Sequence, residues 1–360
     1  MPVLRGAGCP QTGARPSRKE RRSMSVDRQI EDTCGTAVVE ASIEGKTGEL
    51  DFRTLKSGGI IKQRQRDLFT VRLKCPGGRV PVERLARIAE VARRYGRDYV
   101  HLSVRQSIEI PYVSFRDIGK VQRELAEVGQ EIASCGARVR VPTACGGCEY
   151  NPNGLTDTQR MAQEATERFF GKWSLAHKFK ITFAGCPSDC VRSSTADLGF
   201  QGAVRPAWEQ GKCTGCGICA EACREGAIAS DSETGEPIYD PRKCLYCGDC
   251  IRNCPTEAWE AERTGWIVRA GGKHGRHPIT GQRIAEFLPD EKVHAVTEAV
   301  LTWYQRTAEG KGRIRIGELL RDETFWRDFL GAIGPILGDD AVANPPPPRR
   351  NEIHISCGED

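Results

Sequence analysis

Lys178-Phe-Lys-Ile-Thr-Phe-Ala-Gly-Cys-Pro-Ser-Asp-Cys190 reads as a strand that runs directly into a cysteine-bearing loop. Phe179, Ile181 and Phe183 alternate with Lys178, Lys180 and Thr182, the period-two pattern of a half-buried strand. One face is apolar, and the other carries two lysines at i and i+2 beside Cys186 and Cys190. Upstream, Leu68–Lys74 sets Phe69, Val71 and Leu73 against Thr70, Arg72 and Lys74, and Val100–Arg105 sets Val100, Leu102 and Val104 against His101, Ser103 and Arg105. Apolar stripes at helical spacing predict helices over Val82–Tyr95 and Phe115–Val128. Strand, helix, strand, helix in this order predicts a small α+β sandwich over 56–135.

A loop at Cys145–Gly154 and a helix near Thr158–Phe170 lead into the lysine strand. Beyond it come a short strand, Trp266–Ala270, the loop Gly271-Gly-Lys-His-Gly-Arg-His-Pro278, and helices near Lys292–Gln305 and Ile316–Phe329. A second α+β body is therefore expected from 136–204 and 263–340, interrupted by a cysteine-rich insert at 205–262. Residues 1–55 read as a polar, partly disordered extension. Residues 341–360, with Pro345–Pro348, read as a disordered tail.

The insert carries Cys213-x2-Cys216-x2-Cys219-x3-Cys223, then Cys244-x2-Cys247-x2-Cys250-x3-Cys254-Pro255. This is the spacing of a two-cluster bacterial ferredoxin, in which each run gives three thiolates to one [4Fe–4S] cube and its fourth to the other. One cube would take Cys213, Cys216, Cys219 and Cys254, and the other Cys244, Cys247, Cys250 and Cys223. Two zinc sites are the alternative, but zinc sites seldom repeat such a run. Cys223 is followed by Arg224 rather than proline, which shapes a loop and is not a ligand.

Outside the insert, Cys145-x2-Cys148 and Cys186-x3-Cys190 lie in two loops about 40 residues apart, a spacing able to hold a third cluster. The alternative is a pair of buried or redox thiols at Cys145 and Cys148. Cations gather in the same stretches: Arg72 with Lys74, Lys178 with Lys180, Arg105, and Arg138 with Arg140 ahead of the Cys145 loop. Such a face suits a small oxyanion and a carboxylate-rich cofactor, because positive charge binds the anion and helps protonate its oxygens.

Composition narrows the classes. The chain has 360 residues, 39% hydrophobic and 7% aromatic, and a mean hydropathy of −0.47. No run approaches the ~20 apolar residues of a membrane span. The net charge of +5 is local: Arg5, Arg15, Arg18, Lys19, Arg21 and Arg22 face only Glu20 in residues 1–23, leaving a balanced body unlike a nucleic-acid binder. That basic stretch is either disordered or precedes a start at Met24. The 17 cysteines are an odd count with ligand spacings and no signal peptide, so a reducing, cytoplasmic setting is expected.

Taken together, Gly58-Gly-Ile-Ile-Lys-Gln63, Arg72-Leu-Lys-Cys-Pro-Gly-Gly78, Val104-Arg-Gln106, Lys178-Phe-Lys180, Gly185-Cys-Pro-Ser-Asp-Cys190, the ferredoxin insert and Gly271-Gly-Lys-His-Gly-Arg276 resemble the siroheme-containing sulfite and nitrite reductase superfamily. The likeness is nearest to the catalytic C subunit of anaerobic sulfite reductase and the dissimilatory-like small sulfite reductases. It implies reduction of sulfite, or of nitrite, at siroheme coupled to a [4Fe–4S] cube through the Cys190 thiolate. With the insert this makes three [4Fe–4S] clusters.

The resemblance places the anion-binding cations at Arg72, Arg140, Lys178 and Lys180. It puts Lys74 and Arg105 near cofactor or substrate, and cofactor carboxylates at Gly271, Gly272, Lys273, Gly275 and Arg276. The family pattern C-x5-C puts Asn151 where a cysteine is expected: either Cys148, on a loop that Gly146 and Gly147 let bend, completes the set with Cys145, Cys186 and Cys190, or the cube takes a non-cysteine ligand, or this copy does not hold it. A non-catalytic electron-transfer subunit is the competing reading. The chain shows one copy of a repeat that the family uses in pairs, which implies a homodimer or a paralogous heterodimer. It shows no flavin or nicotinamide fingerprint, which implies a separate donor, a ferredoxin or a flavoprotein subunit.

Overall fold

The computed structural model describes residues 52–351. The expectations for the basic leader, for the extension before Phe52 and for the tail beyond Asn351 lie outside these residues. The extension ends earlier than expected. Helix α1, Phe52–Ser57, is already part of the first body, with Leu55 fully buried.

The first body is a four-stranded antiparallel sheet of order β1-β2-β4-β3. Strand β1 is Ile60–Lys62 and β2 is Leu68–Arg72, with Phe69 and Val71 buried between half-buried neighbours, as the alternation requires. Helix α2, Val82–Tyr95, has the expected bounds and buries Ile88, Val91 and Ala92. The expected strand at Val100–Arg105 shrinks to β3, His101–Leu102, at the sheet edge. There Leu102 and Val104 are 72% and 97% exposed. Gln106, at φ 59°, turns the chain by donating its N–H to the Ser103 carbonyl. The strand that pairs with β2 is instead β4, Ile108–Ser114, with Val71 opposite Ile110 and Arg72 opposite Glu109. Helix α3, Ile118–Ala126, buries Ile118, Val121 and Leu125 beneath the sheet with α2.

The second body is a five-stranded sheet of order β11-β10-β7-β6-β5. Strand β5 is Thr143–Ala144, helix α4 is Thr158–Phe169, and β6 is Ile181–Ala184, the buried end of the lysine strand. Strand β7, Leu198–Trp208, runs parallel to β6. The cysteine-rich insert follows: helix α5, Ile218–Ala222, the hairpin of β8, Ile228–Ser230, with β9, Pro237–Tyr239, and helix α6, Asp249–Asn253. Strand β10, Trp259–Ala270, returns antiparallel along β7 from Trp208–Trp259 to Leu198–Ala270. The expected borders at 205 and 262 therefore fall inside two long strands. The insert rides on their extension.

Strand β11, Gln282–Leu288, and helix α7, Asp290–Thr307, follow. The last expected helix divides into α8, Ile316–Leu319, and α9, Glu323–Leu337, whose start is capped by Asp322 accepting from the Thr324 and Phe325 N–H groups. Residues 341–351 are packed, contrary to expectation. Val342 N–H donates to the Ile284 carbonyl, the proline run accepts from Trp326 at the Pro345 carbonyl (2.6 Å), and Arg350 pairs with Glu318.

Phe183 and Phe200 stack at 5.0 Å in the core, with Trp266 edge-on to both. The Trp266 indole N–H donates to Asp290 at 2.6 Å. Trp266→Ala is expected to cost about 3–5 kcal/mol, read as a lower urea midpoint, because a fully buried indole leaves a cavity. No helix of the described residues is long and apolar enough to cross a membrane.

Candidate active site

The cations converge where the two bodies meet. Arg105 lies in the β3–β4 turn, Arg140 just before β5, and Lys178 and Lys180 just before β6. A cavity of about 570 Å³ is lined by Arg105, Lys178, Lys180, Thr182, Cys190 and His274, among others. Among the described residues, Arg105, Lys178 and Lys180 make no ion pair. Arg140 is buried, donates to the Ser134 carbonyl, and leaves Nε without a partner. Arg72 stands behind them, held by Glu109 at 2.6 Å and by the Cys135 sulfur at 3.0 Å.

Packing like charges away from water disfavours each of them. Burial, then Arg72 and Arg140, lowers the Arg105 pKa. Burial, then Arg315, Arg140 and Arg105, lowers that of Lys178. Burial is the largest cause for Lys180 too, and with Arg315, Lys178 and Arg105 it outweighs the opposing pull of Asp197, bringing the amine down to about 8. A small anion placed among these side chains would relieve their repulsion.

Lys74 is not in this group. The chain leaves the β2 pairing after Arg72, with Leu73 bonded to Ile108 and Lys74 to Glu131 through the backbone. The Lys74 amine pairs with Glu131 at 2.9 Å and lines a different cavity of about 720 Å³. Lys273 is also engaged elsewhere, paired with Glu318. In the same loop, His274 and Gly275 reach the cation cavity and Arg276 is exposed. Gly271 donates its N–H to the Asp197 carbonyl, and at Gly272 a Cβ would sit 2.3 Å from the Ala196 carbonyl oxygen, so only glycine fits there.

The cysteines divide among several sites. The exposed Cys190 opens onto the cation cavity. The Cys145 sulfur accepts the Gly185 N–H at 3.0 Å, next to Cys186. Cys186 shares a cavity of about 360 Å³ with Cys223, Cys244, Cys247 and Cys250. Cys213, Cys216, Cys219 and Cys254 line a separate small cavity. Each of these two cavities holds a buried donor without a partner, the Tyr239 hydroxyl in one and the Trp259 indole N–H in the other. Cys148 departs from expectation. Gly147, at φ 58°, turns it toward the Lys74 cavity, and it is disulfide-bonded, so it is not a thiol available to the Cys186 loop.

Residues 135–325 match the family described as the nitrite and sulphite reductase 4Fe-4S domain, and residues 61–128 match the nitrite/sulfite reductase ferredoxin-like half domain. The chain belongs to the nitrite and sulphite reductase family. It is 34% identical over 75% of its length to the coenzyme F420-dependent sulfite reductase of Methanocaldococcus jannaschii, spanning 43% of that protein. It is 27% identical over 70% of its length to the C subunit of the anaerobic sulfite reductase of Salmonella typhimurium, spanning 78% of that chain. Dissimilatory sulfite reductase I shares the fold at a TM-score of 0.63 and 20% identity, over 80% of this chain and 73% of that one.

In this reductase-family chain, one pair at the site had no sequence signal. Asp197 and Arg315 lie 118 residues apart and form a buried bidentate ion pair at 2.6 Å beneath the lysines. Neither sits in a motif with recognisable spacing. Gln106, part of a quoted motif but given no role, holds the Ala144 backbone through both its amide atoms and so joins the first body to β5.

Proposed function

We propose that the chain reduces a small oxyanion, sulfite before nitrite, at siroheme held over the cation cavity, with electrons relayed through the cysteine-rich insert. The observation that carries this is a cavity in which Arg105, Lys178 and Lys180, without an ion pair among the described residues, face the Cys190 thiol. The residues fit such a group. The Lys178 amine and the lowered Lys180 amine on the cavity wall would both gain from an anion, and the buried Tyr239 and Trp259 donors suit sulfur-rich clusters. Siroheme, when bound, supplies the redox centre on which the oxyanion accepts electrons. Arg140, Lys178 and Lys180 bind and orient the anion, and a protonated Lys180 holds a proton next to its oxygens. Cys190, with Cys145 and Cys186, supplies thiolates for the coupled cluster.

The relay is supported by the shared cavity of Cys186 and the Cys223, Cys244, Cys247, Cys250 group. A separate donor, a ferredoxin or a flavoprotein subunit, delivers electrons to the insert. The cavity is open at Val104, beside β3, the edge strand of its sheet among the described residues, so a second chain, identical or paralogous, completes it.

Anaerobically purified protein is expected to show red-region siroheme bands, iron near ~13 per chain against ~8 for the insert alone, and sulfite reduction with a reduced dye. Nitrite assayed in parallel ranks the two substrates. Iron near the lower value with no extractable tetrapyrrole would leave the electron-transfer subunit as the function. A siroheme-loaded active monomer in light scattering would refute the second chain.

A further inference from the structure

We propose that the buried Asp197–Arg315 pair is a positioning device for the anion site, holding the Lys180 peptide in place and setting the charge around both lysines. This rests on the oxyanion reading above. Four connections meet at the pair. Asp197 accepts the Lys180 backbone N–H at 2.8 Å through one carboxylate oxygen. Its next residue, Leu198, donates to the Lys180 carbonyl. Its own carbonyl accepts from Gly271, at the start of the loop whose His274 and Gly275 line the cavity. Arg315, the residue before α8, then clamps both carboxylate oxygens. Asp197 is fully buried and Arg315 nearly so, so the pair meets the site through low-dielectric protein.

The charged neighbours of Lys180 are Asp197 at the head of β7, Arg315 before α8, Lys178 on its own segment and Arg105 from the β3–β4 turn. Lys178 faces Arg315, Arg140, Arg105 and Asp197. His177, whose Nδ1 accepts the Lys178 N–H, is driven down to about 4 by burial, Arg315, Lys178 and Arg313, and so stays neutral. Arg315 therefore repels protons from three groups on the lysine segment, while Asp197 pulls the other way. The two charges act on Lys180 in opposite directions, Asp197 the more strongly.

Competitive acetylation over a pH series, read by peptide mass spectrometry on the full chain with its cofactors, reports the titration of Lys180 without any substrate. Its midpoint should lie near 8 in the unsubstituted chain. Arg315→Met, leaving the carboxylate unopposed, should raise that midpoint by about one pH unit or more. Asp197→Asn, leaving the guanidinium unopposed, should lower it. The pH at which KM for sulfite begins to climb should move in the same two directions. The double variant, Asp197→Asn with Arg315→Gln, leaves neither charge buried alone and should fall between the single ones. Midpoints that stay put, or move the same way in both single variants, overturn the proposal. Opposite shifts without any oxyanion turnover would instead keep the positioning role and reject the substrate.

Discussion

Lys180→Ala is expected to lower kcat/KM for sulfite by about 10²–10³, with the visible spectrum unchanged, as removal of one charge-assisted donor to a developing oxyanion does elsewhere. The amine is half-buried on the cavity wall with no ion pair among the described residues, so its hydrogen-bonding capacity is open to the anion. Lys178→Ala should act in the same direction. Lys74→Ala should stay near the unsubstituted chain, because its partner is Glu131. Steady-state kinetics on the three variants decides it, and equal losses at Lys74 and Lys180 would move the anion out of this cavity.

The pH dependence has a definite sign. Lys180 titrates near 8 in the folded chain, below the ~10.4 of an unperturbed lysine. Anion affinity is therefore full below about 8 and falls as pH rises through that value. Over the window between the two values the unfolded chain binds more protons, so folding stability should rise with pH there. An oxyanion bound beside the amine would push its titration back up, which predicts a more alkaline limit for kcat than for kcat/KM.

Local pattern made α2 and β2 legible, since each buries one stripe at its own period. The lysine strand was legible only in part: its regular portion is Ile181–Ala184, buried on both faces, and Lys178 and Lys180 lie ahead of it. The pattern failed where the backbone departs from regularity. β4 contains Pro111 and a bulge at Tyr112 (φ 63°), so its alternation slips, and at β3 the alternating Leu102 and Val104 are left exposed among the described residues. Lys74 looked equivalent to Arg72 only while the strand was assumed to continue. Cys148 looked like a ligand by count, but the left-handed Gly147 aims it elsewhere. Asp197, just ahead of β7, and Arg315, just ahead of α8, meet across 118 residues, a contact that no local pattern encodes.

Replacing Cys244 and Cys247 together by Ala is expected to abolish turnover with a protein donor while leaving siroheme bands and sulfite binding in place. These thiols, with Cys223 and Cys250, line the cavity that also holds Cys186, whereas Cys213, Cys216, Cys219 and Cys254 line their own. The inner group is thus the one that shares a cavity with the Cys186–Cys190 loop, which reaches the cations. Loss of the inner cluster alone should remove about 4 iron atoms per chain, and loss of both about 8. The second result is possible because each cysteine run lends its last thiol to the other group and the insert core, Trp259 and Ile228, packs against the cysteines themselves. A small chemical reductant distinguishes a broken relay from a broken site. It needs no docking on the insert, so it should still drive sulfite reduction in the double variant. Protein-donor turnover that survives the substitution would mean that electrons enter at the Cys186 loop directly. Loss of turnover with both reductants, with intact red bands, would make the inner cysteines part of the site itself.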